Sequence, residues 1–404
     1  MGFITPNTFL VVENGVLLRR FLFEENRIIE LYETFNVFPD AVVEPINIIL
    51  KKIPSQVSDE FRVLTEGRKK GEANFQIFSH GLVFKRENLI FNYRETKQQR
   101  ILYLKLSLIT PLSNYAETKA GIKPYEKGKG NPPQSDEVLK LKPFNSFEYL
   151  GESWFKLIRG TQINRYHISW DGEYLKYGEW LAAPRNPTTF LNPKIVIRRT
   201  DDKLLCSFDD NNLLGLNSIH CLQCFNNEVN IKYLLALLNS KLINWFFRHE
   251  NFHMVGKPLA EVKVVFVERL PILKIAFESQ KKFIDRVNQM LSLYLKLDNK
   301  KSSFTKYIQS QIKAETVRSK LQNWNGLEFG DFIDEINKTI KTSGGEKLSK
   351  IQEMEWMDVF ENQKAEAQTI KVEIDKIDRE IDQMVYGLYG LTEEEIRIVE
   401  GISN

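Results

Sequence analysis

Cysteine is scarce in this sequence, which has three in 404 residues. So few thiols do not suggest the disulfide framework of a small secreted protein, and they favour a reducing compartment. Long apolar runs are also missing, since none approaches the roughly 20 residues of a membrane-spanning helix. Met1 leads directly into GFITPNTFL, without the basic stretch and cleavage site of a secretory signal. We therefore expect a cytoplasmic protein with no membrane partner.

A large net charge is also absent, because 56 Lys and Arg nearly balance 53 Asp and Glu to give +3. The charges are nevertheless unevenly distributed. Residues 51–130 hold 16 basic and 8 acidic side chains, a net of +8, whereas residues 340–404 hold 8 and 15, a net of −7. The basic middle predicts an anionic partner, and a merely solvated surface is the alternative.

Residues 121–199 mix glycines and lysines with short aromatic and β-branched runs. Lys123, Lys127 and Lys129 share a loop with Gly128 and Gly130, which let the backbone approach phosphates closely. Long polar side chains follow near a turn, and Arg pairs well with guanine while Gln and Asn pair with adenine. The candidate DNA-contacting residues are Lys123, Tyr125, Lys127, Lys129, Arg159, Gln162, Asn164, Arg165, Tyr166, Arg185, Lys194, Arg198 and Arg199. For each of them a solvated or packing role is the alternative.

Periodicity predicts strands and a helix in the first fifty residues and helices after residue 273. We expect strands at GFIT, Ile28–Tyr32 and within residues 37–52, and a helix from residue 13 or 14 that buries one apolar face. Residues 82–95 and 99–107 alternate as strands do. The helical face of the tail comprises Phe283, Val287, Met290, Leu291 and Leu295. A heptad seam comprises Ile370, Ile374, Ile377, Ile381, Met384 and Leu388, followed by a capping box at Thr392 and Glu395.

The first fifty residues, GFITPNTFL and LLRRFLFEENRIIELYETFNVFPDAVVEPINIILKK, resemble the second half of the catalytic domain of TaqI-type adenine-N6 DNA methyltransferases. The resemblance implies the last strands of a Rossmann-like, doubly wound sheet that binds S-adenosylmethionine. The strands at GFIT and IIELY would then lack their inner neighbours.

A second resemblance, over residues 121–271, is to the TaqI-like carboxy-terminal specificity domain, the target-recognition part of these enzymes. Five segments carry it in order: GIKPYEKG, IRGTQINRY, YLKYGEWLA, PKIVIRR and YLLALLNSKLINWFF. It implies double-stranded DNA as the partner and a prokaryotic cytoplasm as the location. The single helix that we predict in the last segment places Leu235, Leu238, Leu242 and Trp245 on one face.

The sequence departs from the family in its catalytic motifs. It holds neither the glycine-bearing loop for S-adenosylmethionine nor the Asp/Asn-Pro-Pro-Tyr/Phe tetrapeptide that grips the flipped adenine. NPPQ at residues 131–134 ends in Gln134, which cannot stack on a base, so a turn is the better interpretation. A polypeptide carrying the first half of the methyltransferase domain is therefore an expected partner.

Two histidine- and cysteine-bearing motifs suggest zinc only weakly, and we expect no metal. HCLQC places Cys221 and Cys224 beside His220, but a structural zinc usually needs a second such pair. HENFH, residues 249–253, matches the His-Glu-x-x-His pattern of zinc peptidases, which requires both histidines on one helical face. The helix is predicted to end there, because Gly256 and Pro258 follow closely.

The sequence thus predicts an α/β plus α protein of four regions. These are a methyltransferase remnant (1–53), a connector (54–120), a mixed α/β target-recognition domain (121–273) and a helical tail with a coiled-coil-like segment (274–404). The predicted function is sequence-specific DNA recognition as part of an adenine-N6 methyltransferase of a restriction-modification or phage-defence system. A stand-alone DNA specificity subunit is the alternative, and a zinc peptidase is a remote one.

Overall fold

A computed structural model describes residues 1–34, 44–66, 73–84, 89–225, 228–257 and 259–402 of the chain. Contacts divide the chain into two compact units, Met1–Tyr103 and Leu104–Asn404. In the described residues, no helix combines the length and the apolar character required to cross a membrane. The predicted boundaries at residues 53, 120 and 273 are finer than this division and remain predictions.

The first unit is built on a five-stranded mixed sheet. Its strands are β1 (Gly2–Pro6), β2 (Arg27–Glu33), β3 (Pro45–Lys51), β4 (Glu60–Glu66) and β5 (Ala73–Ser79). They lie in the order β1-β3-β2-β4-β5, and only β2 and β4 run parallel. Ile46, Ile48, Leu50, Leu31 and Phe61 are buried on one face and form its core. The helices are α1 (Val16–Phe23), α2 (His80–Phe84) and α3 (Lys97–Ser107), which continues into the second unit.

The strand predictions at GFIT, Ile28–Tyr32 and residues 45–52 are confirmed, while residues 37–43 lie outside the described residues. We expected the strand at IIELY to lack a neighbour on one side. This expectation is wrong, because β2 lies between β3 and β4. Within the described part of the chain, β1 pairs with β3 alone and forms an edge. Residues 1–53 therefore share their sheet with part of the predicted connector.

Helix α1 occurs where a helix was predicted, but of its predicted apolar face, Val16, Leu17, Phe21 and Leu22, only Leu22 is fully buried. Leu22 and Phe23 are buried, whereas Leu17 and Phe21 are exposed. Arg19 turns inward, since its guanidinium donates to the carbonyl oxygens of Phe9 (2.6 Å) and Val12 (2.7 Å). Those buried bonds fix the rotation of the helix.

The strands predicted at residues 82–95 and 99–107 are wrong. The second segment is α3, where Leu102 and Leu106 are buried four residues apart, a helical spacing. Thr96 and Gln99 form a reciprocal cap, each side chain bonding the backbone N–H of the other. The first segment begins in α2, and the described residues after 88 are buried at every second position without joining a sheet.

The second unit contains two small four-stranded sheets and a hairpin. Its strands are β6 (Ala116–Ala120), β7 (Asn145–Ser146), β8 (Trp154–Ile158), β9 (Ile163–Asn164), β10 (His167–Ile168), β11 (Tyr174–Lys176), β12 (Lys194–Arg198), β13 (Cys206–Asp209), β14 (Leu214–Gly215) and β15 (Ile219–Cys224). One sheet has the order β13-β12-β15-β6, the other the order β14-β8-β11-β7, and β9 pairs with β10. A single core that includes Ile122, Leu157, Leu175, Val196 and Ile219 joins the two sheets.

Helices connect and cover these sheets. They are α4 (Asp136–Leu141), α5 (Thr188–Leu191), α6 (Ile231–Asn239), α7 (Lys241–Glu250) and α8 (Val264–Glu268). The single helix predicted across residues 233–247 is wrong, because it breaks at Ser240, whose hydroxyl accepts from the N–H of Ile243 and starts α7. The Asn239 side chain bonds both backbone groups of Cys206, which anchors the end of α6 to the sheet.

The last part of the chain is helical, as predicted. Its helices are α9 (Phe277–Ile312), α10 (Ser319–Gln322), α11 (Phe329–Thr342), α12 (Lys350–Leu388) and α13 (Glu393–Glu400). Ile374, Ile377 and Ile381 are buried and α12 packs along α9, so the heptad seam is intramolecular. Val385 is buried at the next seam position in place of Met384.

The apolar face predicted for α9 is confirmed in the first half of the helix at three positions and is wrong at Leu295. Phe283, Val287 and Met290 are buried, while Leu295 is exposed and Leu293 is buried instead. The capping box of the last helix is confirmed, since Thr392 caps α13 reciprocally with Glu395.

Candidate nucleic-acid interface

The predicted lysine loop lies on the surface of the second unit. Lys127 and Lys129 are exposed and Lys123 is half-exposed. The Nζ atom of Lys127 lies 2.6 Å from a carboxylate oxygen of Asp136, and that of Lys123 lies 2.7 Å from Glu126, whose pKa this hydrogen bond lowers. Ion pairs at such exposure are weak and screened by salt, so these ammonium groups remain available to phosphates.

The lysine loop is held in place by Gln134, the last residue of the NPPQ segment. The Gln134 amide donates to the carbonyl oxygens of Pro124 (2.7 Å) and Trp180 (2.8 Å) and accepts from the N–H of Glu126 (2.9 Å). Residues 131–133 occupy a turn, as predicted, and Gln134 is buried beneath the loop. Its side chain therefore has a positioning role.

The predicted tyrosines participate in packing. Tyr125 stacks on Phe144 with ring centroids 5.5 Å apart, and its hydroxyl donates to the side chain of Asn145. Burial raises the pKa of Tyr125 to about 12. The Tyr177 hydroxyl donates to the carbonyl oxygen of Arg185, whose guanidinium is exposed. Of these residues, Arg185 has the exposed side chain, and its Nε donates to the carbonyl oxygen of Gly121 at 3.4 Å.

Arg159, Gln162 and Asn164 are three of the DNA-contacting residues predicted near the turn. One of them has an exposed side chain, and the other two bond groups within the domain. Arg159 pairs with Glu173 and lies 3.4 Å from Asp171. Gln162 is buried, and its side-chain oxygen accepts from the N–H of Arg159 at 2.8 Å. Asn164 is exposed on the β9–β10 hairpin. Asn164 is thus the member of this group that a base edge can reach directly.

Arg165 and Tyr166 lie against the helical tail. The Arg165 guanidinium donates to both carboxylate oxygens of Asp378 on α12 (2.9 and 2.6 Å) and to the carbonyl oxygen of Asn239 (2.7 Å). Tyr166 is fully buried, and burial raises the pKa of its hydroxyl. The Arg165–Asp378 pair therefore anchors the hairpin to α12.

A second contact anchors the same hairpin to α9. The His167 ring stacks on Tyr294 with centroids 5.5 Å apart, and its Nδ1 lies 3.2 Å from a carboxylate oxygen of Asp298. Burial lowers the pKa of His167 and raises that of Asp298. The hairpin thus connects the two small sheets to both long helices.

The predicted strand cations lie inside the domain or close to acids. Lys194 is fully buried, and its ammonium pairs with Asp209 beneath the sheet. Arg199 donates to Glu261 at 2.7 Å, and the neighbouring Arg198 is half-buried. Burial leaves Lys194 unable to reach an external phosphate, so we omit it from the DNA surface proposed below.

The outer face of one small sheet combines aromatic rings with lysines. Strands β8 and β11 both have the pattern aromatic–apolar–lysine, in WFK and YLK, and Tyr174 lies directly opposite Lys156. The ammonium of Lys156 lies 4.6 Å from the centre of the Trp170 ring, and Trp170 packs edge-on against Tyr174. We call Trp154, Lys156, Trp170, Tyr174 and Lys176 the aromatic–lysine face.

The sequence contains a signal for this face that our predictions did not use. Alternate residues of a strand point to opposite sides, so the central residues of WFK and YLK face inward. Leu175 is buried in the domain core, and Phe155 packs against that core. The period of two in both strands separates a core side from a lysine-bearing side. Aromatic rings beside ammonium groups suit nucleic acid, which offers base faces and phosphates.

The HENFH motif spans the end of one helix and the start of another. Helix α7 ends at Glu250, as predicted, and the next turn, Phe252–Met254, is a separate 3₁₀ helix, so HENFH does not lie on one helix. The ring of His249 stacks on Trp245 with centroids 4.9 Å apart. The side chain of His253 lies outside the described residues.

The cysteines are strand residues. Cys206 and Cys221 are buried, and burial raises the pKa of Cys221 to about 12 and that of Cys224 to about 11. Where the structure describes the chain, His, Cys, Asp and Glu form no group of three that could hold a metal ion.

Two segments of the chain match known protein families. The first, residues 277–385, matches a family described as a domain of unknown function (DUF8810). No curated protein matches the chain.

Two solved structures share a distant likeness with the chain. The first is MmeI, a type IIL restriction-modification enzyme in complex with DNA, at 12% identity and a TM-score of 0.44 over 91% of this chain and 50% of that one. The second is BpuSI, a type IIG restriction endonuclease, at 10% identity and a TM-score of 0.32 over 71% of this chain and 42% of that one. The chain spans half or less of the length of each. Over residues 155–272, the chain matches the TaqI-like C-terminal specificity domain, as its sequence motifs predicted.

Proposed function

We propose that residues 121–273 recognise a specific sequence in double-stranded DNA as part of an adenine-N6 DNA methyltransferase of a restriction-modification or phage-defence system. The observation that carries the proposal is the match of residues 155–272 to a specificity domain. Five sequence motifs, in the order that this domain requires, support the same assignment.

The DNA surface combines the lysine loop with the aromatic–lysine face. Lys127, Lys129 and Arg185 are exposed cations that can neutralise phosphates, and such contacts position a protein without reading sequence. Asn164 presents an amide that can pair with adenine. Lys123 lies in the same loop and can add a phosphate contact. The predicted cations that are buried or paired inside the domain, Arg159, Arg165, Lys194 and Arg199, organise the fold that carries these groups.

The reaction proposed for the complete enzyme is methyl transfer from S-adenosylmethionine to the N6 atom of a flipped adenine. The sequence lacks the family's glycine-bearing cofactor loop, and the connection after β1 does not replace it. That connection is filled by the buried Arg19, which donates to the carbonyl oxygens of Phe9 and Val12. A side chain at Gly15 would meet the Phe9 carbonyl oxygen at 2.6 Å, so this connection has no space for a nucleoside. We assign no catalytic step to this chain and propose a partner polypeptide that supplies the cofactor site.

Selection from a randomised duplex library tests the proposal. The chain should enrich a defined sequence, and its affinity for that duplex should fall with salt by about 0.9 log units per log unit of salt for each phosphate contacted. Replacing Lys123, Lys127 and Lys129 with alanine should make that slope shallower.

A matched variant controls for the lost charge. Lys320, Lys347 and Lys350 are exposed lysines of the helical tail, and their replacement by alanine removes the same charge elsewhere. That control should keep the wild-type slope. Failure to enrich any sequence would contradict the proposed recognition function. An unchanged salt dependence of affinity in the loop variant would show only that the loop does not contact DNA.

A stand-alone DNA specificity subunit without chemistry is the second candidate. It shares the DNA surface and differs in requiring no partner polypeptide. Affinity purification from the native cell separates the two, because the methyltransferase proposal expects a co-purifying chain with an Asp/Asn-Pro-Pro-Tyr/Phe motif.

A further inference from the structure

An apolar loop protrudes beside the aromatic–lysine face. It comprises residues 147–150, in which Phe147, Tyr149 and Leu150 are 71%, 61% and 56% exposed. Side chains of this size are strongly driven out of water, because burial of apolar surface is the main favourable term in folding and association. Three such side chains within four residues therefore leave considerable apolar surface in water, which indicates a binding site.

The loop is fixed at its base. The hydroxyl of Ser146 accepts from the N–H of Glu148 at 2.9 Å, and the carbonyl oxygen of Gly151 accepts from the N–H of Trp154 at 2.9 Å. The loop joins β7 to β8, which flank β11 on opposite sides, so it crosses over the end of β11. There the Tyr149 ring contacts the Tyr174 ring with centroids 5.7 Å apart. The loop is therefore held in a defined place before any ligand binds.

Its surroundings favour nucleic acid over a protein as the occupant. A stable protein interface needs about 20–30 residues a side, whereas this loop is a narrow projection of four. Tyr149 contacts Tyr174 of the aromatic–lysine face, which carries Lys156 and Lys176. Apolar side chains that enter a base step require cations nearby for the phosphates on either side, and these lysines supply them.

We propose that residues 147–150 act as an apolar wedge that inserts Phe147 and Leu150 between adjacent base pairs of the bound duplex, while Tyr149 stays against Tyr174. This inference rests on the proposed DNA recognition. It adds that the chain binds its duplex by locally unstacking two adjacent base pairs. It also assigns Lys156 and Lys176 to the phosphates that flank the opened step. The loop lies outside residues 155–272, the segment that matches the specificity domain.

Base-stacking fluorescence tests the wedge. The probe is a 30-base-pair duplex carrying the sequence selected by the wild-type chain, with 2-aminopurine placed at one position at a time. Wild-type protein should raise the fluorescence at one or two adjacent positions, because unstacking relieves quenching. The Phe147→Ser/Leu150→Ser variant should lose that rise and bind about tenfold more weakly, since its lost apolar burial is partly offset by avoided unstacking.

A control variant removes exposed apolar surface elsewhere. Leu108 and Leu141 are 89% and 66% exposed, and their replacement by serine should leave both the fluorescence rise and the affinity at wild-type values. Matching thermal unfolding of all three proteins establishes that the loop variant folds.

Three results would overturn the wedge, and they are distinguishable. Wild-type protein that binds no duplex removes DNA recognition and the wedge together. Binding with a fluorescence rise that persists in the loop variant removes the wedge alone. A loop variant that changes from oligomer to monomer in light scattering, with its fluorescence rise intact, assigns the loop to contacts between copies of the chain.

Discussion

Replacing Arg165 with alanine distinguishes a structural role from a DNA contact. The sequence suggested a DNA-contacting side chain, but the Arg165 guanidinium donates to Asp378 and to the carbonyl oxygen of Asn239. The substitution breaks the ion pair and leaves a carboxylate and a helix-terminal carbonyl without this donor. We therefore expect lower stability of the second unit.

The size of the expected loss of stability follows from how exposed the Arg165–Asp378 ion pair is. The side chains of Arg165 and Asp378 are 31% and 22% exposed. Exposed pairs contribute about 0–1 kcal/mol, and removing one partner of a buried pair costs about 3–5 kcal/mol. A half-buried bidentate pair lies between these limits, so the free energy of unfolding should fall by about 2 kcal/mol. For a unit as large as Leu104–Asn404, the corresponding decrease in Tm is about 3 °C.

Thermal and urea unfolding of four proteins measure the effect. A double-mutant cycle with Asp378→Asn should give a coupling energy of about 1 kcal/mol, because both changes remove the same interaction. Arg248, 3.4 Å from Asp202 and nearly half exposed, provides the control, and Arg248→Ala should change the unfolding free energy by less than about 1 kcal/mol. An unchanged Tm in Arg165→Ala, together with a large loss of DNA affinity, would contradict this reasoning and make Arg165 a DNA contact.

Three further predictions concern pH, catalysis and the sheet edge. Burial raises the pKa of Asp382 to about 6. The folded chain therefore binds more protons than the unfolded chain between about pH 4 and pH 6, and its stability should fall by up to about 3 kcal/mol as the pH rises through that window. Asp382→Asn should remove this slope in urea unfolding, and a slope that survives would assign it to another group. Alone, the chain should transfer no methyl group from labelled S-adenosylmethionine to duplex DNA, and turnover by the isolated chain would show that it holds a cofactor site of its own. In amide exchange, residues 2–6 of β1 should lose protection before residues 27–33 of β2, which is bonded on both sides. Equal protection of the two strands would mean that another strand covers β1.

Local patterns in the sequence were sufficient for the elements that local interactions determine. The heptad of α12 identified Ile374, Ile377 and Ile381 as buried residues, and Thr392 with Glu395 identified the start of α13. For α3 the capping pair at residues 96 and 99 was equally local, but our strand prediction used only the apolar alternation of the segment. The sequence therefore contained a helix signal that the prediction missed.

The roles of individual cations could not be predicted, because they depend on distant partners. Arg165 bonds Asp378, which lies 213 residues further along the chain. Lys194 is buried against Asp209, which lies 15 residues further along the chain on the neighbouring strand. A side chain that can bind phosphate can also bind a carboxylate, and the sequence does not specify which one the fold places beside it.

The length of α12 makes the helical tail a spacer. Asp378 contacts the hairpin near one end of this helix, and Lys350 begins it 28 residues earlier. At about 1.5 Å per residue, the helix start lies about 42 Å from that contact. Near that start Trp356 and Phe360 pack with Phe332 of α11 into a separate aromatic cluster. A surface on that cluster therefore keeps a fixed distance of about 42 Å from the hairpin. About 12 base pairs of the proposed duplex would span the same distance at 3.4 Å per pair.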